Sequence, residues 1–211
     1  MSLSSAFYLC FVCLGKIFAM NGYDFDNTIY KGNSFRRFYF YCLVRLPYLV
    51  IYLPVQLVAA ILHGLRILNK HRFLCVLERF IVFVPNKRKF VEKFWNKNFS
   101  RIKSWYFSQK RDDDIIISAS PQYLVEVACS RLGVKCIASN VDIQSGKTFG
   151  KHCHGAAKTD FFRKHFGDSP LATYYSDSLT DVPLFKLAER GYLVKGDKIT
   201  LLYQNGEKTE K

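Results

Sequence analysis

The string Asp24-Phe25-Asp26-Asn27-Thr28 follows a short apolar run, Ile17-Phe18-Ala19-Met20, and together they have the pattern of a strand that ends in a polar loop. Two carboxylates at positions i and i+2 off the end of a strand point in the same direction. One can attack a substrate while the other transfers protons, and both are oxygen ligands for a hard cation. The hydroxyl of Thr28 can hold either the loop or the substrate. The string alone fits an acidic turn equally well, so its meaning depends on the rest of the chain.

The net positive charge of the chain is confined to one block. The 211 residues carry a formal net charge of +14. Residues 33–111 hold 16 Lys and Arg against 2 acidic residues, whereas the remaining residues hold 15 of each sign. The same block contains an uncharged run of 17 residues at positions 46–62. As a helix this run reaches about 25 Å, which is shorter than the roughly 30 Å hydrocarbon core of a bilayer.

From Asp112 onward the pattern changes to short apolar runs that alternate with amphipathic stretches. Strands alternating with helices of this length predict an α/β fold, with a doubly wound parallel sheet and helices on both faces. The predicted strands after the first are 114–118, 134–138, 172–175 and 192–194, and the predicted helices are 122–132, 158–166 and 179–189.

Polar residues follow the predicted strands at the points where those strands end. In a doubly wound sheet, ligands bind beyond the carboxyl ends of the strands, so we expect these side chains to converge there. An acid pair, a hydroxyl, a lysine and a second acid pair are groups suited to phosphoryl transfer. The set is Asp24, Asp26, Ser118, Lys158, Asp177 and Asp181.

This ordered set resembles the haloacid dehalogenase superfamily, and within it the phosphoserine-phosphatase-like phosphatases of subclass IB. The resemblance covers roughly residues 20–200. It implies a Rossmannoid core formed by residues 20–32 and 112–211, with a C1-type helical cap inserted at residues 33–111. The motifs that carry it are Asp24-Phe25-Asp26-Asn27-Thr28, Ile117-Ser118-Ala119-Ser120-Pro121, Lys158 and Tyr175-Ser176-Asp177-Ser178-Leu179-Thr180-Asp181.

The resemblance implies a Mg2+-dependent phosphatase that works through an aspartyl-phosphate. Asp24 would be the nucleophile, and Asp26 would protonate the leaving group and then activate water. The metal residues would be Asp24, Asp26 through its backbone carbonyl, and Asp177. Asp181 would orient either the metal shell or the catalytic lysine.

The resemblance also implies which residues bind the phosphate of the substrate. Ser118 and the backbone N–H of Ala119 would hold phosphoryl oxygens, and Thr28 lies close enough in sequence to the nucleophile to assist. Lys158 would neutralise charge on the phosphate and on the nucleophile.

The basic, apolar block at residues 33–111 suggests where the enzyme works. Both strands that flank it must join one sheet, so the block crosses a membrane an even number of times or not at all. We expect it to contact anionic lipid at the inner, cytoplasmic face of the cell membrane through a shallow or re-entrant helical hairpin. The alternative is a soluble cap. Nucleic-acid binding by residues 87–111 is disfavoured, because the aromatic residues there recur at helical spacing. The basic residues that flank the apolar run are Arg36, Arg37, Arg45, Arg66, Lys70 and Arg72.

Two departures from the resembled pattern argue against free phosphoserine as the substrate. Phosphoserine phosphatases usually carry an acidic residue soon after the first motif, whereas residues 30–37 contain none. They also usually have a glycine-rich second motif, whereas this chain has Ser118-Ala119-Ser120-Pro121. The basic apolar cap is similar to that of bacterial membrane-associated phosphatidylglycerophosphatases, which favours an anionic lipid phosphate such as phosphatidylglycerophosphate. The alternatives are a soluble small-metabolite phosphatase and a non-catalytic lipid- or nucleic-acid-binding module.

Cysteine usage and the N-terminus complete the sequence-based expectations. Seven scattered cysteines do not form a disulfide framework and indicate a reducing compartment. His152-Cys153-His154 has no partners at zinc spacing, which argues against a metal site there.

Residues 1–19 are an apolar extension without the basic start of a signal peptide. We expect Met20 to be the biological start, with a membrane anchor as the alternative.

Overall fold

Apolar, β-branched runs form the centre of a seven-stranded sheet in the computed structural model, which describes residues 19–209. The run Ile115-Ile116-Ile117 is buried on both faces, as expected for a parallel strand covered by helices. The strand order is β3-β2-β1-β4-β5-β6-β7. The strands are β1 (Met20–Tyr23), β2 (Ile115–Pro121), β3 (Lys135–Ser139), β4 (Leu171–Ser176), β5 (Ala188–Lys195), β6 (Lys198–Gln204) and β7 (Glu207–Lys208).

The sheet register brings the predicted site residues to one edge. β1 lies parallel between β2 and β4, and Tyr23 pairs with Ile116 on one side and with Tyr175 on the other. The chain therefore continues to β2 and β3 on one side of β1 and to β4 and β5 on the other. The boundary between β1 and β4 is a topological switch point, where ligands bind in sheets of this kind.

Five α-helices lie between β1 and β2 in the sequence, and a 3-10 helix at Pro47–Tyr52 leads directly into the second of them. Their aromatic side chains pack onto the core: Phe38 and Phe94 are fully buried, and the Trp95 indole N–H donates to the carbonyl oxygen of Leu124 at 2.7 Å. Trp95 also packs edge-on against Phe25, with ring centroids 5.8 Å apart. The insertion is thus in direct contact with the segment that follows β1. The helices are α1 (Ser34–Arg45), α2 (Leu53–Gly64), α3 (Lys70–Glu78), α4 (Lys87–Asn98) and α5 (Ser104–Gln109).

The remaining helices are α6 (Gln122–Leu132), α7 (Ala157–Phe166) and α8 (Val182–Leu187). The predicted α/β fold with a doubly wound sheet is confirmed, but two details were wrong. The helix predicted at 179–189 ends at Leu187, because the chain already pairs with β4 from Ala188 onward. After β5 the chain adds β6 and β7 in antiparallel orientation, so the sheet is not entirely parallel. The predictions for residues 1–18 lie outside the described residues.

The glycine at position 191 is required by close packing between β5 and α8. A Cβ added to Gly191 would lie 2.8 Å from Cβ of Phe185. We expect Gly191→Ala to lower the free energy of unfolding by about 1–3 kcal/mol, because this contact cannot be relieved without moving backbone. Urea unfolding measures the change through the transition midpoint.

Gly64 provides the matched control, because it is the last residue of α2 and a Cβ added there would meet nothing within 4 Å. Gly64→Ala should leave the stability unchanged or raise it by up to about 1 kcal/mol. Equal effects of the two substitutions would contradict the packing described for Gly191.

Candidate active site

A buried lysine connects three separate segments of the chain. Lys158, in the first turn of α7, donates to Oδ1 of Asp24 at 2.7 Å and to Oδ2 of Asp181 at 2.6 Å. The three residues are 2%, 8% and 1% exposed, respectively. Burial lowers the pKa of Lys158, but the two neighbouring carboxylates outweigh that effect and raise the pKa above its usual value. The side chain is therefore a fixed ammonium ion.

Asp181 holds this lysine in place. Besides Lys158, its Oδ2 accepts hydrogen bonds from the Tyr174 hydroxyl at 3.1 Å and from the Ser176 hydroxyl at 2.8 Å. Of the two roles predicted for Asp181, orientation of the lysine is the contact observed. Tyr174 was not identified from the sequence, because a tyrosine inside an apolar strand has the pattern of a core residue.

Asp24 lies close to the charged groups of Lys158, Asp181 and Asp177. Its pKa is raised to about 7, because burial disfavours the carboxylate; the Lys158 ammonium opposes this rise, whereas Asp181 and Asp177 add to it. By count, the single ammonium of Lys158 faces the carboxylates of Asp24, Asp181 and Asp177, so negative charge is in excess at this position. A further positive charge would stabilise the ionised form of Asp24.

Asp26 is held through both carboxylate oxygens. Oδ1 accepts from the backbone N–H of Ser34 at 2.6 Å, and Oδ2 accepts from the Ser120 hydroxyl at 2.5 Å. Ser34 is the first residue of α1, so the carboxylate lies at the N-terminus of a helix, where negative charge is favoured. Burial raises the pKa of Asp26, and the hydrogen bonds from Ser120 and Ser34 oppose the rise. Sequence reasoning gave neither serine a role.

Thr28 anchors the loop that carries Asp177. It is fully buried, and its hydroxyl accepts the backbone N–H of Asp177 at 2.9 Å. Of the two roles predicted for Thr28, holding the loop is the contact observed, and its role at the substrate phosphate stays a prediction. Lys195 donates to the carbonyl oxygen of Asp177 at 2.5 Å, so the loop is fixed from two sides.

Ser118 and Ala119 lie in the second half of β2, directly before Ser120, which contacts Asp26. Ser118 is fully buried, and its hydroxyl oxygen accepts the backbone N–H of Ser120 at 3.2 Å. The carbonyl oxygen of Ala119 accepts from the hydroxyl of Ser139 at 2.7 Å. The segment from Asp24 to Thr28 is thus linked directly to α7, to the end of β2 and to the loop after β4.

The resemblance implies a Mg2+ ion, and the oxygen donors near Asp24 fit one. Lys158 occupies Oδ1 of Asp24; among the described residues, no group donates a hydrogen bond to its Oδ2 or to the carboxylate of Asp177. Hard oxygen donors in an excess of negative charge suit a hard divalent cation. Asp24, Asp177 and the carbonyl of Asp26 are the residues that would hold it.

Comparison with known proteins points to the same superfamily that the sequence motifs resemble. Residues 22–186 match the family model of the haloacid dehalogenase-like hydrolases. A Bordetella pertussis Tohama I protein of unknown function has a similar structure, with a TM-score of 0.64, 13% identity, and coverage of 82% of this chain and 88% of that chain. A HAD family hydrolase from Salmonella enterica serovar Typhi has a TM-score of 0.53, 13% identity, and coverage of 89% and 70%.

A third solved structure, a phosphoserine phosphohydrolase-like protein from Francisella tularensis, has a TM-score of 0.49 and 16% identity, with coverage of 82% of this chain and 85% of that chain. Among proteins with curated descriptions, none matches the chain.

Together, the sheet, the aspartate pair after β1 and the buried lysine define a class of α/β hydrolases. The family model spans more than half of the sequence, and the protein belongs to the haloacid dehalogenase-like hydrolase family. The predicted superfamily is confirmed, and the predicted enzyme class is confirmed as a hydrolase of this family. The roles of individual residues and the membrane resemblance of the cap stay predictions.

The contact between Thr28 and Asp177 leads to a prediction about magnesium. Thr28→Val preserves the shape of the side chain but removes the hydroxyl that accepts the Asp177 N–H. Because groups that orient metal ligands contribute about 10- to 100-fold to affinity, we expect the Mg2+ concentration for half-maximal hydrolysis to rise by about that factor. A magnesium titration with an aryl phosphate measures it.

Thr28→Ser keeps the hydroxyl and serves as the matched control, with an expected requirement close to that of the wild type. If both variants needed the same Mg2+ concentration, Thr28 would have no part in positioning Asp177.

Proposed function

We propose that this protein is a Mg2+-dependent phosphomonoester hydrolase that forms an aspartyl-phosphate on Asp24. The observation that carries the proposal is the buried contact of Asp24 with Lys158, which is fixed in turn by Asp181. A second carboxylate, Asp26, stands two residues further along the same loop. Because desolvation of buried charges offsets their attraction, an ion pair with 1–8% exposure adds little to stability, and a catalytic role accounts for it better than a structural one.

The first step transfers the phosphoryl group to the enzyme. An oxygen of the Asp24 carboxylate attacks phosphorus, and the bond from phosphorus to the ester oxygen breaks as the new bond forms. Asp26 transfers its proton to the departing alkoxide, and burial shifts its pKa upward, in the direction that a general acid needs. Lys158 offsets the charge shared by the nucleophile and the phosphoryl oxygens.

The second step returns the enzyme to its starting state. The Asp26 carboxylate takes a proton from a water molecule as that water attacks phosphorus. The bond between phosphorus and Asp24 breaks, inorganic phosphate leaves, and Asp26 is again an acid. Ser118 and the backbone N–H of Ala119 are the groups proposed to hold the phosphoryl oxygens in both steps. A Mg2+ ion, when bound by Asp24 and Asp177, supplies positive charge that brings the anionic ester and the carboxylate together.

Removing the proposed nucleophile should remove the activity. Asp24→Asn keeps the size of the side chain but leaves no carboxylate to attack, so we expect hydrolysis of an aryl phosphate in Mg2+ to fall by at least about 1000-fold. Steady-state kinetics of the purified variant measure it.

Asp168→Asn is the matched control, because this exposed aspartate lies just after α7 and away from the site. Its activity should equal that of the wild type. Full turnover by Asp24→Asn would show that another residue is the nucleophile.

The insertion has a surface suited to a membrane. Within the described residues, one helical stretch, Pro47–Gly64, is long and apolar enough to cross a bilayer. Its buried face includes a polar residue, Gln56, which accepts from the Tyr39 hydroxyl and donates to the carbonyl oxygen of Leu77 at 3.4 Å. Its outward face is apolar, and Ile51 is 81% exposed. This arrangement is the reverse of a helix on a soluble protein, where the apolar face points inward.

The apolar face and its surroundings support interfacial binding. Both flanking strands belong to one sheet, so Pro47–Gly64 cannot be a single span, and we propose that it lies in the interface of the inner leaflet. Exposed cations border the apolar stretch and suit anionic lipid head groups. The exposed apolar residues include Val50, Ile51, Val55, Leu57, Val58 and Ile61, and the bordering cations are Arg36, Arg37, Arg45, Arg66, Lys70 and Arg72.

This surface favours a substrate in the membrane plane. We propose an anionic lipid phosphate such as phosphatidylglycerophosphate, whose acyl chains would stay in the bilayer while the phosphate reaches Asp24. The enzyme would then act at the cytoplasmic face of the cell membrane. A soluble small-metabolite phosphatase is the alternative, and it requires no exposed apolar face of this extent.

Membrane binding can be tested with one substitution on this face. Ile51→Asp places a charge at the most exposed apolar side chain, so we expect the fraction bound to phosphatidylglycerol vesicles to fall by about tenfold or more. Binding of the wild type should weaken with salt and be poor on phosphatidylcholine vesicles. Co-sedimentation measures all three.

Phe149→Asp is the matched control, because Phe149 is 56% exposed but lies outside the insertion. Its binding should equal that of the wild type. If the wild type failed to bind anionic vesicles and hydrolysed soluble esters faster than phosphatidylglycerophosphate, the soluble alternative would be correct.

A further inference from the structure

A second cluster of reactive side chains lies between the insertion and the core. His71 and Cys75 stand one turn apart on α3 and therefore share a face of the helix. His152 reaches them from the loop between β3 and α7, with 2.9 Å between the Nδ1 atoms of the two histidines. Sγ of Cys75 lies 3.7 Å from Nε2 of His71. One ligand atom from each of the three residues lies within 4.8 Å of those of the other two.

A buried carboxylate fixes the orientation of His152. Nε2 of this histidine lies 3.0 Å and 3.2 Å from the two carboxylate oxygens of Glu78, which also accepts from the Thr148 hydroxyl at 2.6 Å. Glu78 is only 3% exposed. The carboxylate can only accept, so Nε2 carries the proton and the lone pair on Nδ1 faces His71. A carboxylate behind a histidine in this way is the usual support of a metal-binding imidazole.

The donor set selects a class of metal. Two imidazole nitrogens and a thiolate suit zinc, whereas Mg2+ and Ca2+ prefer oxygen. Tetrahedral Zn2+ holds two nitrogens about 3.3 Å apart and a nitrogen and a sulfur about 3.6 Å apart. The 2.9 Å and 3.7 Å separations involve different nitrogens of His71, and with one ligand atom taken from each residue all three atoms lie within 4.8 Å of one another. Binding a tetrahedral ion therefore requires side-chain rotations that shorten the longest separation by about 1–1.5 Å. Lys70, near His154, opposes a cation here, and the Glu78 carboxylate offsets it.

We propose that His71, Cys75 and His152 bind one Zn2+ ion, which clamps the insertion to the loop that leads into α7. Six residues after His152 the chain reaches Lys158, so the ion would fix the approach to the catalytic lysine. His71 is exposed and leaves the fourth coordination position open to water. This inference does not depend on the phosphatase assignment.

The test is zinc binding by the full chain, with cobalt as a spectroscopic probe. We expect one Zn2+ per chain after dialysis against a weak chelator, measured by elemental analysis, with an affinity at least about 100-fold higher than that of Cys75→Ala or His71→Ala. The Co2+ form should show a thiolate-to-cobalt absorption band that Cys75→Ala lacks. Oxygen donors around Asp24 could not produce that band, and its loss in Cys75→Ala would assign it to this site rather than to another cysteine.

Cys136→Ala and His165→Ala are the matched controls, because both residues lie outside the cluster, and they should bind like the wild type. Zinc should also raise the unfolding temperature of the wild type and of both controls but not of Cys75→Ala. Equal zinc affinity in the wild type and Cys75→Ala, or a Co2+ form without the thiolate band, would overturn the proposal. The three side chains would then form a hydrogen-bonded cluster that binds no metal.

Discussion

The buried ammonium of Lys158 is the constraint on which the structure of the site depends. A charge this deeply buried is tolerated only where opposite charges meet it directly. Asp24 and Asp181 provide them from the segments that follow β1 and β4, two strands that are neighbours in the sheet although more than a hundred residues separate them in sequence. The same contact that makes the ion pair stable also presents a carboxylate at the switch point of the sheet, where a phosphate ester can be bound and attacked.

Much of this site was accessible from the sequence, because its charged members end strands and follow a recognisable order. Asp24, Asp26, Lys158, Asp177 and Asp181 needed only strand prediction and a motif. The contacts that support them did not follow from the sequence. Tyr174 has the pattern of a core residue, and the roles of Ser34 and Ser120 depend on where α1 begins and how β2 ends.

Contacts between segments that are distant in the sequence were not predicted, for a related reason. β6 follows a tight turn at Gly196, where φ is +61°, and pairs with β5. No local sequence pattern predicts that pairing. His152 had no partner at zinc spacing because His71 and Cys75 approach it across about eighty residues of chain. Local periodicity predicts elements, whereas contacts between distant elements depend on the assembled fold.

The insertion contributes both to the proposed active site and to the proposed membrane surface. Trp95 packs against Phe25 inside the first motif, while α2, in the same insertion, turns an apolar face outward. The insertion proposed to select the substrate is therefore also the surface proposed to meet the membrane, and its His71 contacts His152 in the loop before Lys158.

The central claim is that Asp24 carries the phosphoryl group during turnover. Rapid quenching with an aryl phosphate and Mg2+, followed by borohydride reduction and peptide mapping, tests it directly, because an aspartyl-phosphate is reduced to homoserine. The account predicts homoserine at position 24. Turnover with an unmodified Asp24, or with the phosphoryl group found on another side chain, would contradict it.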